Sequence, residues 1–193
     1  MARVRALVMV GLIFPFAVAA QQQAPPLAQP QANPLVRSLR AFSTHYGNWL
    51  VEAFDSIPAA KYRYKPTPAQ QTVGTIAEHL ENANYEQCTL VSSLKPPAAM
   101  GDSAIADSIK AMWPKDTLVA RLKASLVFCD SAMGSLSDAA LSDTVPLPPD
   151  RKIVRVRYLL AFVTDLAEHY SQIASYMRLI GMVPPSALPR PSH

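Results

Sequence analysis

Asp165 and His169 lie four residues apart in the most regular helical stretch of the chain, Val154 to Ile180. Residues at i and i+4 share one face of a helix. Joined by the imidazole of His79, from a helical stretch far upstream, they make a three-ligand set. Mixed nitrogen and oxygen donors suit a divalent metal ion, Zn or Ni first, with Mn or Fe next. Three protein ligands also leave positions open for water or substrate. The bland alternative is that Asp165 accepts a hydrogen bond from one histidine while the other sits partly exposed. Spacing alone leaves both open, because an acid–histidine pair at i,i+4 arises by chance on many helices.

Other polar residues read more plainly. Glu78 and Glu168 neighbour two of the candidate ligands in sequence, but each is turned about 100° away from its neighbour. Both are expected on solvated helix faces, and neither is assigned as a general base. His45, near Phe42, Tyr46 and Trp49, is expected at the boundary of the core, with a fourth-ligand or proton-shuttle role as the alternative. His193 is terminal. Arg151, Lys152, Arg155 and Arg157 form a basic run where the last helix is expected to begin. A solvated helix end is expected there rather than a lipid or anionic-partner contact, although cations sit poorly at helix N-termini.

Four amphipathic helices would have to position these side chains. The first is expected over Pro34–Ser56, with Asn33 as its cap and Leu35, Leu39, Phe42, Tyr46, Trp49, Leu50 and Ala53 as its apolar stripe. The second runs from about Thr72 to Leu94, capped by Thr72 or Thr75, with His79 on its inward side beside Ile76, Leu80, Ala83, Cys88 and Val91. A short helix is expected within Ser103–Met112. The third main helix runs from Pro114 or Asp116 to about Leu136, on Leu118, Leu122, Leu126, Cys129 and Met133. The fourth runs from about Ile153 to Ile180, on Leu159, Phe162, Leu166, Ile173 and Met177, and Gly181 stops it. No period-2 run stands out as a strand. The expected fold is all-α: a four-helix bundle over residues 34–185 with one short extra helix between the second and third main helices.

Arg3 and Arg5, the apolar stretch Ala6 to Phe16 and the small residues Ala17, Ala19 and Ala20 read as a signal peptide over 1–20. Export to a periplasmic or extracellular space is the expectation, with no stable membrane insertion after cleavage. Residues 21–33 are rich in Gln, Pro and Ala and read as a tether, and 186–193 as a Pro-rich tail. Loss of Arg3 and Arg5 lowers the formal charge from +4 to +2. A nearly neutral mature chain carries no electrostatic footprint for nucleic acid. In an exported chain the even pair Cys88 and Cys129 reads as a disulfide. The aromatic residues Tyr46, Trp49, Tyr85, Phe128, Phe162 and Tyr170 are expected as core or pocket wall, not as a stacking platform for bases.

Two segments carry a resemblance. The stretch from Gln70 to Cys88, QQTVGTIAEHLENANYEQC, resembles the first signature of the DinB superfamily, a glycine-containing helix start followed by Ala-x-His-Leu. LAFVTDLAEHYSQIASYMRLIGMVPP, Leu160 to Pro185, is similar to its second, where His-x3-His precedes a Gly-Gln or similar pair, then Tyr-[Leu/Met]-Arg, Gly and Pro-Pro. The loop bearing Tyr62, Tyr64, Pro66 and Thr67 also resembles the family's. The resemblance implies a four-helix bundle holding a divalent metal on three side chains, which map to His79, Asp165 and His169. Asp165 departs from the pattern, standing where the first histidine of His-x3-His is usual. The function implied is metal activation of water or a thiol on a small-molecule substrate, by a hydrolase or thiol transferase. A non-catalytic bundle with a structural or vestigial metal site is the rival. The sequence leaves a homodimer open.

Overall fold

The computed structural model describes residues 32–97, 104–147 and 149–189. The expected signal peptide, the expected tether up to residue 31 and residues 190–193 of the expected tail lie outside the described residues. The fold is a bundle of four long helices: α1 (Pro34–Ser56), α2 (Val73–Ser92), α4 (Lys115–Gly134) and α5 (Arg155–Leu179). A one-turn helix, α3 (Asp107–Lys110), lies between α2 and α4. Short 3-10 turns occupy Ala59–Lys61, Asp138–Ser142 and Pro185–Ala187.

Cross-helix contacts fix the direction of each helix. Glu81, Asn84 and Cys88 on α2 meet Arg121, Ser125 and Cys129 on α4 in the same order, so α2 and α4 run parallel. Arg40 meets Asp130, while Gly47 abuts Leu126, so α1 and α4 are antiparallel. On α5, Tyr176 reaches Gln71 just before α2, and His169 faces His79 further along it. The pair α2 and α5 is therefore antiparallel, and the bundle runs up, down, down, up. A parallel neighbour needs a connection as long as the bundle, and the stretch from Ser93 to Pro114, with α3 inside it, supplies that for α2 and α4.

The core fills the space where the four stripes converge. Leu50 and Phe54, Ile76 and Leu80, Leu118 and Leu122, and Phe162 and Leu166 are all at most 1% exposed. Each such side chain contributes about 1.5–3 kcal/mol on burial. The expected stripes hold on α4 and α5. On α1 the buried face is rotated: Val36, Leu39, Ser43, Gly47, Leu50 and Phe54 pack inward, whereas Leu35 and Phe42 are more than half exposed. The absent side chain at Gly47 lets Leu126 of α4 approach closely, and a hydrophobicity pattern does not register that.

Termini show which end signals acted. Thr72 caps α2 by accepting from the Thr75 amide at 3.1 Å. Gly181, at φ +79°, closes α5 in a Schellman turn: its own N–H donates to Arg178 and that of Met182 to Met177. The expected cap of α1 is corrected. Asn33 occupies the cap position but its side chain accepts from the Asp138 amide, while the Asp138 carboxylate accepts from Leu35 and Val36 N–H at 3.0 and 2.9 Å. A residue from the far side of the sequence therefore satisfies the amides left open at this helix start.

The structure also corrects the segment before the last helix. Thr144–Leu147 (β1) and Arg151–Val154 (β2) form an antiparallel hairpin, with Thr144 opposite Val154 and Leu147 opposite Arg151. The last helix therefore begins at Arg155, two residues later than expected. Four-residue strands are too short for alternation to stand out, and only Val145 is deeply buried. The basic run belongs to β2 and the first turn of α5. Arg155 is paired with Asp143 at 3.0 Å and donates to the Ala140 carbonyl oxygen, while Arg151, Lys152 and Arg157 are exposed as expected. Among the described residues, no helix is long and apolar enough to cross a membrane.

Candidate metal centre

The antiparallel seam of α2 and α5 brings together the three residues singled out by their chemistry. One ligand atom from each of His79, Asp165 and His169 lies within 4.8 Å of the others. His169 Nε2 stands 3.5 Å from Asp165 Oδ1 across one helical turn. The rings of His79 and His169 meet edge to face with centroids 5.1 Å apart. Phe162 and Leu166 of α5 and Leu80 of α2, close in sequence to the three ligands, are buried. The side chain of His169 is 14% exposed and that of Asp165 28%, so both stand at the boundary between core and solvent. His79 is exposed, which corrects its expected inward placement. The turn of α2 that buries Glu78 and Leu80 leaves residue 79 facing outward across the seam.

The donor set fits a divalent ion. Two imidazoles and a carboxylate are the nitrogen and oxygen donors that Zn, Ni, Mn and Fe accept. The 3.5 Å between Nε2 and Oδ1 matches the edge of a tetrahedron drawn about an ion with ligands at ~2.1 Å, which is roughly 3.4 Å. It is longer than the ~2.8 Å of a charge-assisted hydrogen bond between the same groups.

Several neighbours of the cluster escaped the sequence reading. Glu78, expected on a solvated face, is only 3% exposed. Its carboxylate is paired with Lys110 of α3 at 3.0 Å and accepts from Asn82, and Lys110 also binds Asp107 at 2.8 Å. Burial pushes the Glu78 carboxyl above its ordinary value, and the Lys110 ammonium opposes that shift. The pair clamps α3 onto α2 one residue from His79. On α5, His169 Nδ1 lies 3.2 Å from Gln172 Oε1, Gln172 Nε2 donates to the Tyr176 hydroxyl, and that hydroxyl donates to the Gln71 carbonyl oxygen. Gln172 and Tyr176 sit three and seven residues after His169, so helical spacing alone could have nominated them.

The remaining candidates fall elsewhere. His45 is exposed and its ring lies tilted against Trp49, with centroids 3.9 Å apart, outside the three-residue cluster. Trp49 stacks on Tyr170, and Tyr85, Phe128, Phe162 and Tyr170 are buried as expected. Glu168 is exposed. Cys88 and Cys129 form a disulfide, with Cα atoms 5.2 Å apart, that ties α2 to α4.

Fold and cluster together define an up-down-down-up helical bundle whose α2–α5 seam presents three metal-type ligands. The family model of the DinB superfamily matches residues 45–173, and the chain belongs to that superfamily. Its fold is similar to that of a DinB-like protein from Bacillus cereus, with a TM-score of 0.62 and 16% identity over 77% of this chain and 95% of the other. A DinB-like protein from Bacillus subtilis gives 0.60 and 15%, over 79% and 96%. The mycothiol-dependent maleylpyruvate isomerase gives 0.57 and 13%, over 72% of this chain and 60% of its own. No curated protein sequence matches the chain.

Proposed function

We propose that His79, Asp165 and His169 hold a divalent metal ion, and that the protein is an exported enzyme of hydrolase or thiol-transferase type acting on a small molecule. The observation that carries this reading is the convergence of three ligand atoms within 4.8 Å at a half-open seam. An ion held by three side chains supplies a Lewis acid that eases the loss of a proton from water or a thiol near neutral pH.

The chain's own residues prepare the place. Asp165 brings a negative charge to a partly buried place beside His169, and a cation there would balance it. His169 is held by a side-chain partner on its own helix, and His79 stands at the open side from which a ligand would enter. The disulfide supports an oxidising compartment and thus export. A structural neighbour named for mycothiol dependence supports the thiol arm. The compartment favours the hydrolase arm, because low-molecular-weight thiols are concentrated in the cytosol.

Metal analysis of protein purified without chelator tests the site, and cobalt substitution tests the open position. One equivalent of metal, lost in His79→Ala and in His169→Ala, is expected. So is a change in the cobalt absorption spectrum when a small thiol or azide is added. No metal after purification and none on titration would overturn the site. A cobalt spectrum insensitive to added ligands would overturn the enzyme reading and leave a metal that only ties α2 to α5.

A further inference from the structure

We infer that Gln172 and Tyr176 are positioning residues that lock the His169 imidazole in the tautomer whose bare nitrogen, Nε2, faces Asp165. The inference rests on the reading of His79, Asp165 and His169 as the metal set, and it says how this chain prepares one of the three before any ion arrives.

One group in this run of hydrogen bonds has a fixed role. The Gln71 backbone carbonyl oxygen only accepts, and the Tyr176 hydroxyl lies 3.1 Å from it. Tyr176 therefore spends its single proton there, and only its lone pairs remain for Gln172 at 3.2 Å. The NH2 end of the Gln172 amide must face the hydroxyl. Its oxygen end then faces His169 Nδ1 at 3.2 Å, and an oxygen at that place needs a donor. Nδ1 carries the proton. A neutral imidazole has one N–H, so Nε2 keeps its lone pair. That lone pair looks toward Asp165 Oδ1, 3.5 Å away. Two acceptors facing each other form a place that a cation can fill.

Each link is anchored. Tyr176 is 1% exposed and meets Tyr64 edge to face. Gln71 immediately precedes Thr72, whose hydroxyl caps α2. The loop that starts the His79 helix thus sets the proton position on the ligand of the opposing helix. An outer partner on the second ring nitrogen orients a ligating histidine and raises its basicity, and loss of such a partner lowers affinity by roughly 10- to 100-fold.

Imidazole nitrogen shifts of the full, metal-free chain report the tautomer by NMR at about pH 8, where an ordinary histidine is neutral. Competition with a chromophoric chelator reports the affinity for Zn2+. The wild type is expected to show His169 with Nδ1 protonated. Gln172→Leu should move the proton toward Nε2 and weaken Zn2+ binding by roughly 10- to 100-fold. Gln172→Glu keeps an acceptor at Nδ1, and should keep both the tautomer and the affinity within a few-fold. Tyr176→Phe frees the amide to turn and should fall between them, and it carries the comparison if Gln172→Leu does not fold. An Nε2-protonated wild type would overturn the inference. So would Leu and Glu variants that lose affinity equally with the tautomer unmoved. A wild type that binds no Zn2+ defeats the metal reading alone, while the NMR measurement still decides the relay.

Discussion

Gly74 opens α2, and replacing it with alanine sets two effects of opposite sign against each other. Helix propensity favours alanine by about 1 kcal/mol. Packing opposes it. A Cβ at residue 74 would come closer than 3.0 Å to the Ala111 carbonyl oxygen and within 3.3 Å of the Tyr62 carbonyl oxygen. Both are backbone atoms, and neither is free to retreat. Tyr62 accepts from the Gly74 N–H at 2.9 Å, and its own buried hydroxyl donates to the Phe54 carbonyl oxygen at 2.7 Å. Ala111 follows Lys110, whose ammonium is held by buried Glu78. Overpacking of this kind costs roughly 1–3 kcal/mol. Any relief that stretches the Glu78–Lys110 pair pushes the cost to the upper end, because a broken buried pair costs more still. Net of propensity, Gly74→Ala should destabilise by about 2 kcal/mol, and the midpoint should fall by roughly 4–8 °C for a domain of this size. Gly47→Ala is the internal control. The nearest atoms to its Cβ would be those of the Leu126 side chain, with the two methyl groups at 3.0 and 3.2 Å, which a half-buried side chain can move. That change should stay within about 1 kcal/mol of the wild type. Urea and thermal unfolding with the disulfide intact measure both. A Gly74→Ala protein as stable as the wild type, or more so, would refute the packing argument and leave helix propensity in control.

Three further outcomes follow from the same structure. Reduction of the Cys88–Cys129 bond, which spans a sequence separation of 41, should lower stability by about 4 kcal/mol in the chain-entropy account, read as the shift in urea midpoint with and without reductant. Asp138→Ala should cost about 1–2 kcal/mol, because it frees the Leu35 and Val36 amides at the start of α1, and hydrogen exchange at those two amides should rise first. Burial pushes the Tyr62 phenol above its ordinary value of 10.0, with Asp55 and Asp116 adding to the shift. The folded chain therefore holds this proton more tightly than the unfolded chain does, so the contribution is complete below about pH 10 and is lost as pH rises toward the folded value. The stability gap between wild type and Tyr62→Phe should accordingly narrow above about pH 10 in a series of unfolding curves. A gap that widens there would contradict the burial.

Much of the site was legible in sequence because helices have a fixed period. Asp165 and His169 had to share a face once α5 was a helix, and Cys88 and Cys129 each lay on an inward stripe. The stripes of α4 and α5 and the glycine stop at residue 181 were equally local. The hairpin escaped because its two strands of four residues are too short to show a period and carry Pro146. The buried face of α1 departs from its apolar stripe because Ser43 and Gly47 face inward, and Gly47 does so through closeness to Leu126, not hydrophobicity.

Sequence by itself therefore determined the helices, their main apolar faces and the identity of the three candidate ligands. Tertiary structure alone decided that α2 runs against α5 in the register that sets His79 opposite His169, and that Glu78 is buried through Lys110 of α3. It also linked a backbone carbonyl before α2 to an imidazole on α5 through Tyr176 and Gln172. Periodicity fixes which residues share one helix face, but it says nothing about which face meets which. That is settled by side chains and backbone groups from distant segments that have to pack, pair and find hydrogen-bond partners together.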